Sequence, residues 1–277
     1  MGAQPRADPG RVGYPQPVPE LPEVEAYRQL AESALGRTVA SVSAPDPWFI
    51  KGGADAAALG GALVGRRLTA ARRIGKLLLL DIDDGPTLGI RFGMTGRLVV
   101  DDRAGVDQLV YAPRRHQDRW DRFALAFEDG GTLVVSDPRR LGGVSLDPDV
   151  SSLGPDAAGI GPSGLTSALA GSRAPLKARL LDQSRVAGIG NLIADEVLWR
   201  AGLSPLRPAG SLSAPEVRRL HRHLRRTIED LIDHGGSHQG DLMDERRHGG
   251  RCPRDGTALT RSTVGGRTTW WCPHHQR

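Results

Sequence analysis

The stretch Pro19-Glu-Leu-Pro-Glu-Val-Glu-Ala-Tyr-Arg-Gln-Leu-Ala-Glu-Ser-Ala-Leu-Gly36 opens the patterned part of the chain as a helix. Val24, Tyr27, Ala31, Ala34 and Leu35 recur at helical spacing, and Gly36 is placed to stop the helix. Behind it the pattern turns to strands. Short apolar runs at 38–42, 77–82, 87–92, 98–101, 123–127 and 133–136 read as β, and Glu128-Asp-Gly-Gly131 between the last two is a hairpin signal. One helix ahead of a β-rich domain over 19–145 sets the class as α+β.

Working outward, residues 146–174 are dense in Gly, Pro and Ser and read as an interdomain linker. A helical domain is expected over 175–245. In it Ser213-Ala-Pro-Glu216 forms a capping box, and Val217, Leu220, Leu224, Ile228 and Leu231 make one apolar stripe. Arg218, Arg219, Arg222, Arg225 and Arg226 face away from it as a solvated face. Residues 246–277 form a basic tail, and residues 1–18 read as a leader or a mis-assigned start.

Composition narrows the function classes. At 277 residues with 39% hydrophobic content, the chain has apolar material for two domains and is not disordered. No apolar run is long enough for a membrane span, and the N-terminus lacks an apolar signal region, so no membrane partner is expected. Two cysteines give no disulfide framework, which points to a reducing cytoplasm. Lys51, Lys76 and Lys177 are the only lysines against thirty-four arginines, at a net charge of +5. That excess reflects either a GC-rich genome or a polyanion partner that suits the planar guanidinium fork.

Several motifs carry chemistry. Cys252-x2-Asp255, sixteen residues, then Cys272-x2-His275 has the paired-ligand spacing of a small zinc ribbon, and so polar a tail needs a metal to fold. His248, His274 or a water are the alternatives to Asp255. Ala187-Gly-Ile-Gly-Asn191 precedes an apolar helix, a pattern that lets backbone approach a phosphate. Met94 on the Gly93-Met-Thr-Gly96 turn has the form of a wedge for a base stack, and Asp137-Pro-Arg-Arg-Leu141 ends a strand with two arginines and an apolar tip.

In this order, Pro19–Glu25, Arg73-Ile-Gly-Lys76, Gly93–Gly96, Asp137–Arg140, Leu181-Asp-Gln183 through Gly188–Asn191 to Ala194-Asp-Glu196, and Gly266-Arg-Thr268 before a cysteine pair resemble the formamidopyrimidine-DNA glycosylase/endonuclease VIII family across residues 19–277. The resemblance implies a base-excision repair enzyme: an N-terminal helix plus β-sandwich, then a helix-two-turn-helix domain with a C-terminal zinc finger. Its implied partner is double-stranded DNA carrying a damaged base or an abasic site. The cofactor is structural Zn²⁺, and the enzyme is expected to act as a bacterial cytoplasmic, nucleoid-associated monomer.

The resemblance also assigns roles. Pro19 becomes the amine nucleophile that forms a Schiff base at C1′, with β- and δ-elimination to follow. Glu20 becomes the general acid/base, and Lys76 assists proton transfer beside the lesion phosphate. Met94, Arg139 and Leu141 fill the gap left by the flipped nucleotide. Asn191 and Arg267 grip phosphates, Arg267 with a part in δ-elimination, and Lys177 and Trp120 join the DNA contacts. Cys252, Asp255, Cys272 and His275 hold the metal.

The chain departs from the family pattern in five places. Pro19 follows Val18 in a peptide bond, where an amide nitrogen cannot form a Schiff base. Asp255 and His275 replace two ligand cysteines, Leu141 replaces a phenylalanine, and Trp120 stands where a histidine is common. Only fifteen residues separate Gly236 from Cys252, a stretch that in the formamidopyrimidine branch is longer and holds the loop that caps 8-oxoguanine. Val18 is therefore the expected translation start, read from a GTG codon. The competing class is a non-catalytic damaged-DNA-binding protein of the same fold.

Overall fold

The computed structural model describes residues 19–106 and 117–277; the leader and Val18 lie outside the described residues. Helix α1 (Leu21–Glu32) leads into β1 (Val39–Ser43), α2 (Ala56–Leu63), β2 (Leu68–Ile74), β3 (Leu77–Ile82), β4 (Leu88–Arg91), β5 (Arg97–Val100) and β6 (Arg103–Ala104). After residue 116 come β7 (Asp121–Phe127), β8 (Thr132–Ser136) and β9 (Gly143–Leu146). The strands form two antiparallel sheets, ordered β1-β7-β8-β5-β6 and β2-β3-β4-β9. Leu78, Leu80, Leu88, Ile90, Leu98, Phe123, Leu125 and Val135 are fully buried in one core. Their alternation with half-exposed neighbours along β7 and β8 is that of strands with one face inward.

The helical domain holds α3 (Pro162–Leu169), α4 (Leu176–Leu181), α5 (Asn191–Ala201) and α6 (Ala214–Asp233). The expected stripe on α6 is wholly buried. At its N-terminus the expected capping box closes both ways: the Ser213 N–H donates to Glu216 Oε2 at 2.8 Å, and the Glu216 N–H donates to the Ser213 side chain. A hairpin of β10 (Thr260–Val264) and β11 (Arg267–Trp271) closes the chain.

Two expectations need correction. The segment 146–174 is not a bare linker: it contains α3, whose Leu165 and Leu169 pack with Ala157 and Ile160 into the helical-domain core. An eight-residue helix holding Gly, Ser and Thr has little propensity of its own, and tertiary packing makes it. Strand β2, with sequence Leu-Thr-Ala-Ala-Arg-Arg-Ile, escaped the strand reading because its polar residues mask the alternation.

The two domains share one element. Val24, Tyr27 and Ala31 of α1 belong to the sandwich core, while Leu21 of the same helix belongs to the helical-domain core. The first turn of α1 is thereby pinned where the domains meet.

Candidate active site and nucleic-acid interface

Pro19 and Glu20 sit at that junction, both buried. The Glu20 carboxylate crosses to the other domain and accepts the Leu192 N–H at 2.8 Å and the Ile193 N–H at 3.1 Å, both in the first turn of α5. A helix N-terminus offers unpaired donors and partial positive charge, which favours an anion there. The fit is close: a Cβ on Gly190 would fall 2.1 Å from Glu20 Cδ. Burial nonetheless outweighs the amides and the neighbouring Lys76 cation, and the carboxyl is pushed above its usual range.

Lys76 stands on the β2–β3 turn, and Gly75 there has φ +58°. The helical domain clasps this turn. Asp156 accepts the Gly75 N–H and Arg73 Nη1, both at 2.6 Å, and a Cβ on Gly75 would meet Gly188 N at 2.9 Å. Burial drives the Lys76 ammonium below its usual range, with Glu20 and Glu23 opposing. A carboxyl displaced upward and an ammonium displaced downward, held together, form a pair suited to proton transfer.

Glu20 and Lys76 line a cleft of about 610 Å³ with Met94, Asn191 and Arg267. The far wall is the β10–β11 turn, where Gly265 and Gly266 have φ +57° and +71°, the conformation a tight two-residue hairpin needs. Arg267 follows, exposed. Asn191 is the first residue of α5, and its buried side-chain oxygen has no protein partner. Gln183 shapes the loop before it, accepting the Gly188 N–H at 3.0 Å and donating to Ile189 O at 2.9 Å.

Lys177 requires a correction. It is fully buried, its Nζ lying 2.7 Å from Asp195 Oδ1 and donating to Thr269 Oγ1 at 2.8 Å and Thr268 O at 3.1 Å. Arg246 Nη2 adds a second cation 2.7 Å from Asp195 Oδ2. Lys177 therefore holds strand β11 from behind and is not a DNA contact. The missed partner, Asp195, was visible only as part of Ala-Asp-Glu on a helix otherwise read as apolar.

Arg139 and Leu141 stand beyond the cleft wall, both exposed. Buried Asp137 organises their loop, accepting N–H groups from Arg139, Leu141 and Gly142 at 3.1, 2.9 and 2.8 Å and a hydroxyl from Thr95. One carboxylate thus couples the Met94 turn to the Leu141 loop. A Cβ on Gly93 would lie 2.5 Å from the Leu141 carbonyl carbon, so the two turns touch. Trp120 is half-buried beside them, and its carbonyl accepts the Asp137 N–H at 2.8 Å.

In the tail, Cys252, Asp255, Cys272 and His275 bring one ligand atom each within 4.8 Å of one another. Cys252 Sγ lies 3.5 Å from His275 Nδ1, Cys272 Sγ 3.4 Å from Asp255 Oδ2, and Asp255 Oδ2 3.1 Å from His275 Nδ1. Tetrahedral bonds of about 2.0–2.3 Å require ligand separations of roughly 3.3–3.8 Å, so the donor set fits a metal ion. His274 is mostly exposed, and its side chain meets the cluster from outside, at Asp255. Trp199 Nε1 donates to Cys252 Sγ at 3.4 Å from behind.

Residues 18–144 match the formamidopyrimidine-DNA glycosylase N-terminal domain and residues 153–241 the formamidopyrimidine-DNA glycosylase H2TH domain. The formamidopyrimidine-DNA glycosylase of Chloroflexus aggregans is 36% identical, over 92% of this chain and 98% of its own. That of Thermus thermophilus is also 36% identical, over 92% and 97%. Among solved structures, the Lactococcus lactis Fpg bound to DNA with an abasic site superposes at a TM-score of 0.77 with 26% identity, covering 93% of this chain and 99% of that one. The same protein bound to DNA containing FAPY-dG gives 0.77 and 27%, over 93% and 100%.

Proposed function

This chain belongs to the formamidopyrimidine-DNA glycosylase family, a base-excision repair DNA glycosylase with AP lyase activity, and from that premise we propose which of its residues carry the reaction. Pro19, freed of Val18, is the nucleophile. Its secondary amine bonds to C1′ of a flipped nucleotide as the bond from C1′ to the base breaks, and the base departs with a proton. Ring opening leaves an iminium at C1′; loss of a C2′ proton then breaks the C3′–O bond, and a second elimination breaks the C5′–O bond.

Glu20 is the acid that supplies the first proton, with Lys76 beside it to pass protons onward. Met94, Arg139 and Leu141 occupy the space the nucleotide leaves, with Trp120 at their side. Asn191 and Arg267 take backbone phosphates on opposite walls of the cleft. The substrate is duplex DNA with a damaged base or abasic site, met by a monomer. The observation that carries the reading is the Glu20 carboxylate: buried at the head of α5 next to Pro19, it shares the cleft with Lys76.

Cys252, Asp255, Cys272 and His275 would hold Zn²⁺, which cross-links the tail and supplies no step of the reaction. Cys272→Ser is expected to release the metal and weaken DNA binding, since β11 carries both Cys272's approach and Arg267; metal analysis and a binding titration check it. Protein purified without chelators that contains no zinc would refute the site.

Borohydride trapping on abasic-site DNA tests the nucleophile. A chain starting at Pro19 should be trapped covalently, and one whose mass shows an intact Met1 should not. Equal trapping of both would make another amine, such as Lys76, the nucleophile. Binding without trapping by the Pro19 form would leave a damage-binding protein in place of an enzyme.

A further inference from the structure

The four-stranded sheet aims one end at the cleft, and strand pairing fixes what stands there. The β2–β3 turn bears Lys76; Leu77 pairs with Arg91 at the end of β4, just before Met94; Arg91 pairs with Gly143 at the start of β9, just after Leu141. Ile50 then pairs with Val144 in the parallel sense. The segment before Ile50 therefore runs to the same end of the sheet, one strand further out. Trp48 occupies that position.

Trp48 is 66% exposed, the most exposed large apolar side chain among the described residues, and Leu141 next to it in the row is 51% exposed. Neither is loose. Asp46 accepts the Trp48 N–H at 3.1 Å and holds Arg140 by two bonds of 2.6 Å, so one carboxylate builds the base of both projections. Lys51 lies over the Trp48 ring at 4.5 Å and donates to the Trp48 carbonyl at 2.5 Å. An exposed indole with a cation on its face, set beside Arg139 and Arg140, offers a flat apolar surface inside a positive field.

We propose that Trp48 and Lys51 form an outer contact for the duplex flanking the lesion, the indole packing on deoxyribose and the ammonium pairing with a phosphate. This rests on the DNA-repair reading above. From the β3 end to the Ile50 segment is three strand spacings, about 14 Å. At ~3.4 Å per nucleotide that reaches about four nucleotides from the flipped one, on one side only.

The test is the affinity of wild type, W48A and W48F for abasic duplexes shortened to two base pairs beyond the lesion on one side or the other, read by fluorescence anisotropy. W48A should weaken binding about three- to tenfold, the scale of one aromatic contact, on duplexes that keep the contacted flank. On the duplex lacking that flank it should match wild type. W48F should recover most of the loss, and borohydride trapping at saturating DNA should be unchanged. No loss, or an equal loss on every duplex, overturns the proposal while leaving the repair reading intact. Wild type that neither binds nor is trapped by abasic DNA overturns both.

Discussion

Glu20 is under two opposed influences. Burial favours its proton, while the amides of Leu192 and Ile193 and the Lys76 ammonium favour its charge, and burial is the larger. A carboxyl raised from 4.5 keeps its proton to higher pH and can serve as an acid where an exposed glutamate has already ionised. Excision of a damaged base, which needs that proton, should therefore persist above the ordinary carboxylate range and then fall as Glu20 ionises. Trapping on a preformed abasic site needs no base release and should continue past that fall. Parallel pH profiles of the two reactions check this, and Glu20→Gln should lose excision far more than trapping. Gly190→Ala places a methyl group where Glu20 now lies, so the carboxyl must move. A displacement near 1 Å costs about a hundredfold in rate, which single-turnover excision would register.

Strand β11 depends on a charge cluster out of solvent. Lys177 and Arg246 share Asp195, and Lys177 also binds the strand through Thr268 and Thr269. Removing the shared carboxylate leaves two cations buried without a counter-charge, a change that costs about 3–5 kcal/mol. Asp195→Ala should therefore lower the melting temperature and open the β10–β11 hairpin to protease, whereas loss of Arg267 alone should leave both unchanged. This cluster was not legible in the sequence. A lysine in a basic chain reads as a phosphate contact until the helix that turns it inward is known. Helix α6 was legible because five apolar residues hold one face over twenty positions. Helix α3 was not, because its stability comes from Ala157 and Ile160 outside it. The clustering of Cys252, Asp255, Cys272 and His275 was legible because Cys-x2-Asp and Cys-x2-His place each pair on one turn. Asp156, which ties the β2–β3 turn to the helical domain, and Asp137, which joins the Met94 turn to the Leu141 loop, gave no local sign of those roles.

At the scale of the whole molecule, the cleft between sandwich and helical domain has walls but, among the described residues, little to close over it. Residues 237–251 lead from the end of α6 toward Cys252, and they are tied down along their length. Ser237 donates from N and Oγ to Glu23 Oε1 at 2.6 and 2.7 Å, Asp241 and Leu242 donate to Glu196 at 3.0 Å, and Leu242 and Arg246 are buried. Those ties belong to α1 and α5, so freeing the segment to fold over a base would unfasten Glu23 and Asp195 from their partners. Recognition of 8-oxoguanine is demanding, because it differs from guanine only at C8 and N7, and discrimination requires donors and acceptors closed around the flipped base. Formamidopyrimidines, oxidised pyrimidines and abasic sites ask less, since an opened or unstacked base is already easier to extrude. The expected order is therefore faster processing of these lesions than of 8-oxoguanine opposite cytosine. Single-turnover rates measured side by side on one duplex sequence decide it, and 8-oxoguanine as the fastest substrate would mean that residues 237–251 leave their ties when DNA binds.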